Sequence, residues 1–171
     1  STTGGSNETK SDIIKSSYSE KATEDFLGAF TEEFTMTSFE LTDVYMLFDD
    51  DISDLYDEMK AEIEDGGQPK QRTKAKMIGM IQKNHDDIGH VIYGKIYLGQ
   101  KEIDQSTGNT KIVAQVNGEV WNIMDRRPKL VSSVSPAVFA GLGSTLDVAR
   151  TNALKQSSEN SSKTIINILS N

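Results

Sequence analysis

Three consecutive aspartates, Asp49, Asp50 and Asp51, are the densest group of potential cation ligands in the chain. Calcium prefers oxygen ligands, but an EF-hand loop also needs a glycine at its sixth position and a glutamate at its twelfth. A loop that starts at Asp49 has Asp54 and Lys60 at those positions. The three aspartates fit better at the N-terminus of a helix, where negative charge is stabilised.

The segment from His85 to His90 contains both histidines of the chain and two aspartates. Imidazole and carboxylate groups bind zinc, and a zinc site uses three or four of them. The segment includes Gly89 and joins a predicted helix to a predicted strand, so no element fixes a ligand geometry. We therefore expect a surface connection and no metal site, with His85 acting as a cation at the C-terminus of the helix.

Gly141 and Gly143 precede Ser144 where a strand leads into a helix, as in phosphate-binding loops. The third glycine of a dinucleotide fingerprint would fall at Leu146, and the segment lacks the Lys-Ser/Thr pair of a P-loop. The serines also have no plausible partner base, which nucleophilic catalysis requires. The sequence therefore predicts no cofactor and no enzyme activity.

The composition excludes further classes of protein. None of the 171 residues is cysteine, which excludes disulfides, thiol nucleophiles and cysteine-ligated zinc or iron–sulfur sites. The net charge of −8 argues against nucleic-acid binding, which relies on a basic surface. No apolar run in the sequence approaches the roughly 18 residues of a membrane helix.

The negative charge is concentrated in one stretch. Between Glu32 and Asp65 there are thirteen acidic residues and one lysine. Asp54, Asp57 and Glu58 lie on the polar face of a predicted helix, and we expect this face to be part of a partner-binding surface. A module that binds a cation or a small ligand through this acidic helix is an alternative.

Trp121 is the single tryptophan, and alternation places it on the polar face of a predicted strand, beside Glu119. A tryptophan in this position either packs beneath a helix or belongs to a contact surface. Arg126 and Arg127 lie at the following turn, where they are suited to an acidic partner. We include all three in the candidate partner surface.

Helical periodicity of the apolar residues predicts four helices. The third places Ala75, Ile78, Gly79 and either Ile81 or Gln82 toward the core, and its lysines are expected to pair with the acidic helix before it. The glycine costs about 1 kcal/mol in a helix interior unless a close neighbour requires it. The helices are expected at Tyr18 to about Met36, Ile52 to Gly66, Gln71 to Lys83 and from an N-cap at Ser144 to the end of the chain.

Alternating and β-branched segments predict strands. The last three strands are joined by two hairpins, which indicates an antiparallel meander. The fold class is therefore α/β of the α+β type, with a partly antiparallel sheet packed by about four helices. Residues 1–17 are expected to be a flexible tether and 18–171 a single domain. The strands are expected at Phe39–Tyr45, Val91–Leu98, Thr110–Met124 and Leu130–Phe139.

Several of these segments occur in an order that is typical of one family. Phe39–Asp43 stands at a short strand, Ala75–Gly79 at a helix with Ala-x-x-x-Gly spacing, and Val91–Gly94 at a strand with an aromatic-Gly pair. Val113–Trp121 follows as a long strand, and Asp147–Ala153 stands in the closing helix. In this order the chain resembles the periplasmic α/β domain shared by the peptidoglycan-synthase activator LpoB, the curli-secretion protein CsgG and the TolB N-terminal domain.

The resemblance implies a protein of the bacterial cell envelope. It implies a periplasmic location, with a lipid anchor at the N-terminus as the tether to the outer membrane. It also implies a non-enzymatic accessory or assembly protein that contacts other envelope proteins, and its relatives make association with itself plausible. A ring-forming subunit of a secretion or motility apparatus is the alternative within the same resemblance.

Overall fold

The computed structural model describes residues 24–48, 52–66 and 68–171. The predicted tether over 1–17, the start of the first helix and the three aspartates 49–51 lie outside these residues. The elements are helix α1 (24–35), a 3₁₀ turn at Val44–Met46, α2 (Ser53–Gly66), α3 (Gln71–Asn84), β1 (His90–Leu98), β2 (Glu102–Ile103), β3 (Thr110–Asn122), β4 (Lys129–Gly143) and α4 (Leu146–Ser170).

Strand β3 is the centre of the sheet, because it pairs with β1, β2 and β4. The Ile123 amide donates to the Gly89 carbonyl and the Gly99 amide donates to the Val113 carbonyl. Later residues of β1 pair with earlier residues of β3, so these two strands are antiparallel. Strand β2 is also antiparallel to β3. The mixed α/β fold with an antiparallel sheet is confirmed.

The predicted strand over Phe39–Tyr45 is wrong. Residues 39–43 are irregular, and the 3₁₀ turn follows them. The Thr37 hydroxyl accepts the Phe39 amide at 3.1 Å, and the Leu47 amide donates to the Val44 carbonyl. The Phe39 amide, the Val44 carbonyl and the Leu47 amide are thus bonded locally and are not available for a sheet. The alternation was too short to distinguish a strand from such a turn.

The chain divides into two compact units, and the three long strands run through both. Among the described residues, the first unit comprises 24–39, Ile96–Val116 and Pro136–Asn171. Its core contains Ile112 and Ala114 of β3 against Ala149 and Ala153 of α4. The rings of α1 stack at centroid distances of 5.7 and 5.2 Å, and they belong to Phe26, Phe30 and Phe34.

The second unit comprises Glu40–Lys95 and Asn117–Ser135. Its core forms where helices α2 and α3 pack with the second half of β3. Part of the prediction for α3 is wrong, because Ala75 and Gly79 are exposed. The buried face of α3 lies one step around the helix, and the residues of this core are Ile52, Met59, Met77, Ile78, Ile81 and Ile123.

The last helix begins one residue later than predicted. Thr145 is the N-cap, and its hydroxyl accepts the Val148 amide at 3.3 Å. Asp147 does not complete a capping box, because Val148 is the third residue after this N-cap; the Asp147 carboxylate accepts a 2.7 Å bond from Arg150 instead. Small residues let the middle of α4 pack closely, and its buried residues are Ala149, Arg150, Ala153, Leu154, Ser157, Ser158, Ser161, Ser162 and Ile165.

Candidate interaction surfaces

Trp121 lies beneath helix α3. The Lys74 ammonium group is 4.2 Å from the centroid of the indole ring, and the indole Nε1 donates to Glu119 Oε1 at 3.2 Å. Only 8 % of Lys74 is exposed. Of the two roles considered for Trp121, this arrangement favours packing beneath a helix over a free contact surface.

Glu119 holds three donors around one carboxylate. It accepts hydrogen bonds from the Tyr93 hydroxyl and from Trp121, and Lys74 Nζ lies 3.9 Å from the same oxygen. The cation contacts both the carboxylate and the indole face, so the charges of buried Lys74 and half-buried Glu119 compensate each other. Sequence reasoning missed Lys74 and Tyr93. The spacing of Glu119 and Trp121, two residues apart on one strand, was the available signal.

Arg126 and Arg127 are exposed in the turn between β3 and β4. The start of this turn is attached to α3, because the Gln82 amide donates to the carbonyl oxygens of Ile123 and Asp125 at 3.1 and 2.9 Å. The two arginines are therefore presented from a supported turn. Their predicted role with an acidic partner stays a prediction.

Asp54, Asp57 and Glu58 are exposed on α2. Asp54 and Glu58 form one side of a shallow groove of about 500 Å³ between α2 and α3. The opposite side carries Lys76 and Lys83 of α3. In the described ranges no ion pair joins Asp54 or Glu58 to either lysine. The expected pairing between the two helices is therefore not made by these four side chains.

Glu62 connects the two helices instead. Its carboxylate accepts the Lys70 amide and the Thr73 hydroxyl, each at 2.9 Å, at the start of α3. Desolvation opposes the ionised form, but these two hydrogen bonds and the nearby Lys70 charge outweigh it, and the pKa of Glu62 is lowered. The first amides of a helix have no partner within the helix, so an anionic acceptor at its N-terminus is favourable.

The two histidines have different surroundings. His85 is the C-cap of α3, its Nε2 lies 2.8 Å from the Leu47 carbonyl oxygen, and its ring meets Phe48 edge-on. Burial lowers the pKa of His90. Among the residues that the structure describes, no group of three or more histidine, aspartate or glutamate side chains is arranged to hold a metal ion.

Gly141 and Gly143 belong to β4 and not to a loop. A Cβ at Gly141 would overlap the Ala149 carbonyl oxygen and the backbone nitrogen of Ala153. At Gly143 a Cβ would lie 2.6 Å from the Ala149 nitrogen. Both glycines are thus explained by the close approach of α4 to the strand, and a phosphate loop is not needed to account for them.

Strand β4 presents apolar side chains to solvent. Val138 is 61 % exposed and Leu142 is also exposed, with exposed Ala140 between them. Their alternation with Phe139 and Gly141 places them on the face opposite α4. In the described part of the chain β4 pairs with β3 alone. With respect to the described residues, the strand therefore has one open edge and one uncovered apolar face.

The comparisons with known proteins give no relative for this chain: no family model, no curated protein and no solved structure matches it. The helices that the structure describes include none that is both long and apolar enough to cross a membrane.

Proposed function

We propose that this chain is a non-enzymatic protein-binding module, an accessory or assembly protein that acts through contacts with other proteins. The exposed apolar row on β4 carries the proposal. Monomeric proteins rarely leave a contiguous apolar patch uncovered unless it binds something. An open strand edge beside that patch adds backbone donors and acceptors that a partner strand can use.

The position of the row within the strand supports this assignment. Val138, Ala140 and Leu142 alternate with residues that face α4, so all three side chains point away from the core. Pro136 lies within the same strand and has no amide to donate, which is tolerated at the edge of a sheet. A partner would gain apolar contacts from the three side chains and register from the strand edge.

The bacterial envelope is the proposed compartment, and the periplasmic side of the outer membrane is the proposed location. Its support is the order of motifs around Ala75–Gly79, Val91–Gly94 and the meander, while the loss of the strand at Phe39–Asp43 weakens the resemblance. Cell fractionation of the full-length protein tests this proposal. Co-fractionation with outer-membrane markers is expected, and co-fractionation with cytoplasmic markers would contradict it.

Site-specific photo-crosslinking in living cells tests the binding role. A crosslinking amino acid at Val138 is expected to yield a discrete adduct with another protein. Val148 is a matched control, because it is also an exposed valine, at the start of α4. An adduct pattern from Val138 that does not exceed the pattern from Val148 would contradict binding through β4.

A further inference from the structure

Helix α3 carries a glycine that its own fold does not explain. Gly79 lies in the helix interior, where glycine costs about 1 kcal/mol relative to alanine. No atom of another element in the described residues lies within 4 Å of the place where its Cβ would be. Gly79 and Ala75 lie one turn apart on the exposed face of α3. They lower the side-chain profile of the helix, so that a second helix can approach closely there.

The groove beside these small residues has walls of opposite charge. Asp54 and Glu58 of α2 form the acidic wall, and Lys76 and Lys83 of α3 form the basic wall. All four side chains are exposed, and neither acidic residue is paired with either lysine in the described ranges. A partner that fills the groove must therefore present both signs of charge, in the reverse order.

We propose that this groove binds the same groove of a second copy of the chain, which goes beyond the binding role of β4. In a two-fold interface each patch meets itself. A two-fold axis along the groove brings the acidic wall of each copy onto the basic wall of the other. The charge pattern of the groove is thus complementary to the same groove in a second copy. Ala75 and Gly79 allow the helices of the two copies to meet closely.

Charge reversal tests the proposal. Sedimentation velocity of the full chain over a concentration series is expected to show a species of twice 18.8 kDa. Glu58→Lys places a lysine in the acidic wall, and Lys76→Glu places a glutamate in the basic wall. Each variant alone is expected to dimerise at least about tenfold more weakly, because like charges then face each other.

An equal mixture of the two variants is the decisive sample. The lysine introduced in one variant would face the glutamate introduced in the other, so the mixed dimer is expected to recover wild-type affinity. Glu32→Lys and Lys163→Glu reverse exposed charges on α1 and α4 and are matched controls that should leave dimerisation unchanged. Melting curves establish that every variant is folded.

Two results would overturn the proposal. A wild-type chain that remains monomeric at every concentration would leave the groove to a helix of another protein. A wild-type dimer that both reversals leave intact would place the interface elsewhere. Neither result bears on the crosslinking test of β4, so the two proposals fail separately.

Discussion

Small residues four positions apart occur on two helices with opposite surroundings. On α4, Ala149 and Ala153 are fully buried, and the backbone of that helix lies so close to β4 that Gly141 has no room for a Cβ. On α3, Ala75 and Gly79 are exposed, and no atom of another described element lies within 4 Å of the place where a Cβ of Gly79 would be. The same spacing therefore marks an internal contact in one helix and an uncovered face in the other.

The difference shows how a glycine or alanine at a helix surface, or opposite one, should be interpreted. A small residue is explained by its own fold only if a neighbouring backbone occupies the space that a larger side chain would fill. Gly141 meets this criterion and Gly79 does not. The unexplained small residues are therefore the ones that point to a partner, and substitutions at both positions test the distinction.

Gly141→Ala is expected to have the largest effect. The added methyl group would overlap the Ala149 carbonyl and the Ala153 amide, and backbone atoms within a helix cannot move independently. Overpacking of this kind should cost about 3 kcal/mol or more. Urea unfolding followed by circular dichroism measures the change. A stability equal to that of the wild type would mean that α4 does not approach β4 as closely as described.

Loss of Glu119, which contacts Lys74 on the buried face of α3, is expected to have the next largest effect. Glu119→Ala removes the acceptor of Tyr93 and Trp121 and the counter-charge of Lys74, and these groups remain half-buried or buried. We expect a loss of about 3 kcal/mol in the free energy of unfolding. Asp125→Ala is the control, because Asp125 and its partner Lys129 are both exposed and such pairs contribute little. Equal losses from the two variants would contradict the role of Glu119.

Replacement of two buried serines of α4 by alanine should change the stability of the protein in opposite directions. Ser158 is 0 % exposed and donates to the Phe26 carbonyl of α1 at 2.8 Å, so Ser158→Ala is expected to lose about 1 kcal/mol. Ser161 is 3 % exposed, and its hydroxyl has no hydrogen-bond partner within the described residues. Ser161→Ala should therefore raise the melting temperature. A lower melting temperature for Ser161→Ala would show that its hydroxyl has a partner.

Sequence periodicity was sufficient to locate four helices and the three long strands, because each has a strong apolar pattern over many residues. It did not give the end of β4, which continues past Phe139 to Gly143. It failed at Phe39–Tyr45, where the pattern was short and the Thr37 hydroxyl closes the chain locally. The error at Ala75 and Gly79 has a different cause. Small residues are compatible with both a close internal contact and an empty surface, and only the position of the neighbouring element separates the two.

The partner surface was less accessible to sequence reasoning than the fold. The charges of Asp54 and Glu58 were evident, but the groove they border exists only once α2 and α3 are packed. Trp121 was recognisable as unusual, although its burial depends on Lys74, which lies on a helix much earlier in the chain. The apolar row at Val138 and Leu142 was not predicted, because the strand was expected to end at Phe139, whereas β4 continues to Gly143.

Gly79→Ala should produce the smallest change and the most specific one. In dilute solution the free energy of unfolding is expected to rise by up to about 1 kcal/mol, because alanine is the better helix former and nothing opposes its methyl group. At high concentration the wild type should become as stable as the variant. Dimerisation stabilises the folded wild-type chain, whereas in the variant the methyl group weakens the proposed helix contact. Thermal melting at two protein concentrations measures both effects.

Gly28→Ala in α1 is the matched control. Gly28 is also exposed and also lies within a helix, and no described atom lies within 4 Å of the place where its Cβ would be. It is far from the groove in sequence and borders neither of its walls. Its gain in stability should be the same at both concentrations. If Gly79→Ala behaves like Gly28→Ala at every concentration, the glycine of α3 has no partner to accommodate. If only Gly79→Ala loses its advantage as the concentration rises, the uncovered face of α3 is the surface that binds the second copy.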